Sequence, residues 1–218
     1  LAHGEIDDSK DATLVSGKAQ SLDKIAIKRG ETLLLSVAPR GNHGADSTLV
    51  ELYIVEVGGQ SRTWSTTQLV NDLVTSNPYA DAYGHASVLA FLDLQAAPQL
   101  LPEKLSEING RSELQGWRNG DTPSVLVNRS DAVVKVWTAL PPRTFFVHPG
   151  PQGPVGVAWV SPIDGTIGVS GRIADAHPTG PDGIAWELTK IADAEFSIGL
   201  AEQSVHQSKI AEFTHRKQ

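Results

Sequence analysis

The chain has 218 residues, 40% of them hydrophobic, with no cysteine, no methionine and a formal charge of −7. An acidic balance with scattered Lys and Arg excludes a nucleic-acid surface, which needs clustered cations, and no apolar run approaches the ~20 residues of a helical membrane span. Without cysteine this chain makes no disulfide, thiolate nucleophile, iron–sulfur cluster or covalent haem attachment.

This length is enough to bury a core unaided. The first residues are Leu1-Ala2-His3-Gly4, with no initiating methionine, which is expected of a processed product or of a piece of a longer protein. Residues 1–20 are polar and weakly patterned and read as a lead-in. Residues 24–28 alternate apolar and charged, 29–31 (Arg-Gly-Glu) turn, and 32–38 continue as a more buried strand. A loop over 39–47 leads to a strand over 48–57, closed by Gly58-Gly59.

Residues 60–125 change character. Leu69, Val70, Leu73 and Val74 have helical spacing behind Ser65 or Thr66 as N-cap, predicting a helix over 66–76 that Asn77-Pro78 stops. Pro102 sits just inside a second predicted helix, over 102–108, with Asn109-Gly110 as its stop. A turn at 119–123 precedes a strand over Ser124–Asn128. The stretch 60–125 therefore reads as a partly helical insert laid against a sandwich.

Strands are predicted over 133–138 and Thr144–His148. Between 149 and 188 three β-type runs, beginning at Val155, Thr166 and Ile184, are cut by loops of Gly, Pro and Asp, which tolerate or preset turn dihedrals. Runs at 194–200 and 208–214 finish the chain. This punctuation predicts an all-β fold: an antiparallel, jelly-roll-like β-sandwich. It would be one domain over 1–218, with strands from 24–57 and 125–214 and the insert at 60–125.

Two segments carry a family resemblance. Residues 157–177 read Val-Ala-Trp-Val-Ser-Pro-Ile-Asp-Gly-Thr-Ile-Gly-Val-Ser-Gly-Arg-Ile-Ala-Asp-Ala-His, followed at 182–188 by Asp-Gly-Ile-Ala-Trp-Glu-Leu. Residues 28–48 read Lys-Arg-Gly-Glu-Thr-Leu-Leu-Leu-Ser-Val-Ala-Pro-Arg-Gly-Asn-His-Gly-Ala-Asp-Ser-Thr. Together they resemble the two halves of a module in large exported proteins of planctomycete-type bacteria, which also carry cytochrome c-like and uncharacterised domains. More distantly they resemble jelly-roll modules of the galactose-binding-like, carbohydrate-binding kind. The resemblance implies a periplasmic or extracellular setting. The halves stand here in the reverse of the order in the distant single-module relatives. That implies a permuted sandwich or a piece cut from a longer chain.

Candidate chemistry is sparse. Asp46, Asp175 and Asp182 lie in loops that the paired halves could gather at one end, where a hard cation such as Ca²⁺ would find carboxylate and carbonyl oxygens. The other reading is that these aspartates shape turns, and no EF-hand pattern is present. The seven histidines form no HExxH and no His-x-His pair, so no zinc motif exists in sequence. His43 and His177 alone are flanked by acidic loop residues. Of the five tryptophans, Trp159 and Trp186 share strand parity with core residues. Trp64 and Trp117, with Tyr79 and Tyr83, fall in the insert and are the candidates for stacking on sugar rings, against the alternative of packing the insert down. No nucleophile elbow or P-loop occurs, and Gly165, Gly168 and Gly171 lie along a strand. These features fit a non-catalytic module that binds a polysaccharide or glycoconjugate, or docks neighbouring domains. A structural subunit of a larger, haem-bearing assembly, and a hydrolase with its site between sandwich and insert, are the alternatives.

Overall fold

The computed structural model describes residues 1–7, 11–13, 21–177 and 182–192. The runs expected at 194–200 and 208–214 lie outside them. Two antiparallel sheets carry most of the chain. The six-stranded sheet runs β1 (Ala2–Ile6), β17 (Ile184–Ile191), β4 (Thr32–Pro39), β15 (Val155–Val160), β7 (Leu89–Asp93), β8 (Gln99–Leu100). The nine-stranded sheet runs β2 (Asp11–Thr13), β16 (Gly165–Asp175), β5 (Thr48–Glu56), β14 (Thr144–His148), β11 (Ser124–Asn128), β10 (Leu114–Arg118), β9 (Glu103–Leu105), with β3 (Ile25–Ile27) also on β16 and β6 (Thr63–Ser65) on β5. A separate hairpin pairs β12 (Val134–Lys135) with β13 (Ala139–Leu140).

The sheets face each other across one core, and neither closes into a barrel. Along β4 the buried residues Leu33, Leu35 and Val37 alternate with half-buried neighbours, and along β5 Val50, Leu52 and Ile54 do the same. This two-residue period sends one side of each strand inward. Between the layers the rings of Trp64 and Trp159 lie 5.1 Å apart, and those of Phe91 and Phe145 6.1 Å. The fold is the expected all-β sandwich. The two family-like segments pair directly: β15 and β17 flank β4, while β16 runs along the whole of β5.

Three local expectations are corrected. Residues 60–125 do not sit outside the sandwich as an insert, because β7 enters the six-stranded sheet and β9, β10 and β11 enter the other. The helix expected over 66–76 is two 3₁₀ turns, Thr66–Asn71 and Leu73–Thr75, in which the buried Leu69, Val70 and Leu73 serve the core. The helix expected over 102–108 is instead strand β9 and the start of a tight turn. Asn109 and Gly110 both have positive φ, 52° and 72°, and Ile108 and Arg111 exchange main-chain hydrogen bonds. Two successive left-handed residues match the twist of a hairpin, so Asn-Gly here joins β9 to β10 rather than stopping a helix. The lead-in is also ordered in part: β1 pairs with β17 in register from Ala2 opposite Leu188 to Ile6 opposite Ile184.

Candidate functional site

The outer face of the nine-stranded sheet is apolar over β11 and β14, where Leu126 and Phe146 are buried with Leu49, Leu114 and Ala174. The β12–β13 hairpin roofs this face with Val134 and Leu140. Asn128 holds the base of the hairpin, its amide donating to the carbonyls of Ala132, Leu140 and Pro141. The hairpin tip is tied down at Trp137, whose indole N–H donates to Ser47 Oγ at 3.0 Å, and at Thr138, whose hydroxyl donates to the Ala176 carbonyl at 2.6 Å.

Between this roof and the β9–β10 turn lies a cleft of about 320 Å³. Ser124 and Leu126 form its floor, and Leu105, Ile108 and Asn109 one wall. Trp137, on the roofing hairpin, also lines it and is 40% exposed. Arg118, Asp121 and Thr122 line the cleft beside the floor, and Gly44, His148 and His177 complete its lining. Asn119 fixes the 119–123 turn, its amide donating to the buried Asp93 carboxylate at 2.8 Å and its main-chain N–H to the Pro123 carbonyl.

The charges in this cleft are largely engaged. Arg118 Nε and Nη2 make a two-point contact with Glu103, at 2.9 and 2.7 Å, across the β9–β10 register. These bonds hold the Glu103 carboxyl below its usual range. His148 is held below the ordinary imidazole value. Burial is the main cause, the Pro149 carbonyl opposes it, and the neighbouring His43 and His177 add to it. The rings of His43 and His148 meet edge to face, 6.1 Å between centroids.

Of the residues singled out from the sequence, His177 lines the cleft and His43 meets His148 beside it, whereas the aromatic candidates lie elsewhere. Trp64 and Trp117 are 1% and 8% exposed, so neither offers a face to a ligand. Trp64 donates its indole N–H to Asp81 and packs against Trp159, while Trp117 donates to the Leu73 carbonyl. An inward strand position and a buried acceptor for each N–H explain both burials. Tyr79 is bonded to Asp72, and burial pushes its hydroxyl up to about 12. Tyr83 is exposed, with its ring edge-on to Trp64 at 5.7 Å and its hydroxyl bonded to the Thr63 main chain. The exposed tryptophan is Trp137. Strand alternation could not have found it, because Trp137 sits in the turn between β12 and β13 rather than on a strand.

The three aspartate loops do come together at one end of the sandwich. Asp46 and Asp175 line a cavity of about 10 Å³, and Asp182 accepts the Asn42 main-chain N–H at 3.0 Å. Space of this size suits one water molecule. Among the described residues no three acidic or imidazole side chains converge on a metal position. The bonds formed are those of turn-shaping side chains: Asp175 accepts from the His177 N–H at 2.7 Å, and Asn42 from Gly44.

Comparison with known proteins finds no matching family model, no matching curated protein and no matching solved structure. The site's own chemistry is therefore the basis for a functional reading.

Proposed function

We propose that the chain is a non-catalytic β-sandwich module that binds a polysaccharide or glycoconjugate in the cleft beside Trp137. The observation that carries this reading is Trp137 itself. The residue is 40% exposed, and its indole N–H is tied to Ser47. An aromatic face suits the apolar face of a pyranose, and fixing it beforehand spares the ordering cost of binding. Asn109, Thr122, Ser124 and His148 line the same cleft and supply the few oriented polar groups that such a site needs. Asp121 is the only carboxylate among the described lining residues. The cleft therefore offers no carboxylate pair for glycoside hydrolysis, which favours binding over the hydrolase alternative. A periplasmic or extracellular setting, implied by the resemblance of 28–48 and 157–188, fits this role.

The test is a glycan array followed by titration of the best ligand against wild type and Trp137→Ala. Truncating a central aromatic anchor costs about 2 kcal/mol, so affinity should fall roughly 30-fold. The variant also loses the clamp bond to Ser47, so its melting temperature should fall modestly, and affinities are compared at a temperature where both proteins are folded. Unchanged affinity in the variant would remove this cleft from the binding role.

A further inference from the structure

We infer that His148 reads the ligand as a hydrogen-bond acceptor, so that the cleft selects uncharged, hydroxyl-rich sugars over acidic ones; this rests on the cleft being a glycan site. The argument starts from one hydrogen bond. His148 Nδ1 lies 2.9 Å from the Pro149 carbonyl oxygen. A carbonyl only accepts, so Nδ1 carries the proton and the neutral ring keeps its lone pair on Nε2. No hydrogen bond of Nε2 is formed among the described residues. His148 is an outward position of β14, opposite Ser124 on β11, and lines the cleft.

The surroundings favour the neutral ring. His43 and His177 stand on the loops packed against it, so a proton on His148 would face two further imidazoles. Asp46 and Asp175 belong to those same loops, and Asp175 is bonded to the His177 main-chain N–H. On the β10 side stand Arg118 and Asp121, and the Arg118 fork is held by Glu103. Burial works in the same direction as the neighbouring imidazoles. A neutral acceptor calls for a donor, and a sugar hydroxyl is one. A carboxylate or sulfate ester brings only acceptor oxygens, which would meet the Nε2 lone pair head on. Acidification adds a proton to Nε2, so a hydroxyl held as donor must turn to accept, and the neutral sugar then buries an imidazolium beside His43 and His177. Binding of a neutral sugar should therefore weaken as pH falls, whereas a site for acidic sugars would gain affinity.

The test is calorimetric titration from about pH 8 to about pH 5 with neutral oligomers (cello-, xylo- and manno-oligosaccharides) and acidic ones (oligogalacturonate, alginate oligomers). The proteins are wild type, His148→Gln and Trp137→Ala. The wild type should bind a neutral oligomer with affinity flat near neutrality and reduced about fivefold or more at the acid end. His148→Gln keeps an acceptor without a proton to gain, so it should bind with no such pH dependence. Preference for acidic oligomers, with affinity rising on acidification, overturns the inference. So does a pH profile unchanged in His148→Gln while Trp137→Ala abolishes binding, an outcome that leaves the glycan reading standing. No binding of either class by the wild type overturns both. Nitrogen-15 spectra of the His148 ring give a ligand-free check, and a proton found on Nε2 of the neutral ring sinks the inference alone.

Discussion

The outer face of the nine-stranded sheet is two different surfaces. Over β5 and β16 it is open: Glu51, Tyr53 and Val55 point outward, and Val55 is 38% exposed. Over β11 and β14 the same side of the same sheet is covered, so Leu126 and Phe146 are buried beneath the β12–β13 hairpin. A sheet face left to solvent keeps a polar or mixed stripe, while a roofed face becomes a second small core. The candidate site lies in the roofed half, where the hairpin and the β9–β10 turn leave a gap. The cover makes the cleft.

The largest effect that this contrast predicts concerns Phe146. Phe146→Ala should cost about 3–5 kcal/mol, because the vacated space lies between sheet and roof. Val55→Ala, at an outward position of the open half, should stay within about 0.5 kcal/mol. Urea unfolding of both variants measures the difference. Equal costs would mean that the roof does not form a packed core in solution.

A smaller loss is expected for the roof's polar clamp. Asn128 is fully buried and makes three donations to hairpin carbonyls, while its own oxygen accepts from Ser130. Asn128→Ala leaves buried carbonyls without their donor, at about 1–3 kcal/mol in all. It should also loosen the hairpin, so Trp137 emission should shift to the red well before global unfolding. A variant that unfolds in one step with unshifted Trp137 emission would show that Phe146 packing alone holds the roof.

The same contrast explains what could be read from the sequence. The open-half strands alternate visibly, and β5 and β16 were legible because most of their outer face is left to solvent, Leu49 and Ala174 at the roofed end excepted. Ser124–Asn128 and Thr144–His148 were also legible as strands, as short apolar runs, but nothing in them announced a covered outer face. Residues 60–125 misled because Leu69, Val70, Leu73 and Val74 have helical spacing, yet 3₁₀ turns and core contacts satisfy that spacing equally well. In the Asp46, Asp175 and Asp182 loops the bonds formed are those that shape turns, at Asp175 and Asp182 to neighbouring main-chain N–H groups. The cleft depends on residues from six separated segments, whose approach is set by register and by the Asn128 clamp. No local pattern encodes that approach.

The subtlest difference between the halves should be their response to acid. The roof is held by neutral hydrogen bonds, at Asn128, Trp137 and Thr138. The 79–88 loop beside β6 and the open half is organised around a charge instead. The Asp81 carboxylate accepts from the Trp64 indole at 2.8 Å, from the main-chain N–H groups of Tyr83 and His85, and meets the His85 ring at 2.8 Å. Burial pushes the Asp81 carboxyl up, but the indole, imidazole and main-chain bonds together outweigh it and hold it below the ordinary carboxylate value. A carboxyl depressed in the folded state contributes stability that is present above its unfolded pKa, about 3.9, and is lost as pH falls through the folded value. Acid should thus release the 79–88 loop and β6 before the hairpin. Hydrogen exchange followed from neutral pH down to about pH 3 should show protection lost first around Trp64 and Tyr83. Asp81→Asn should abolish that order while leaving exchange in the hairpin unchanged. Simultaneous loss of both regions in the wild type would mean that the two halves open as one unit, and that the roof owes its stability to the face it shares with the open strands.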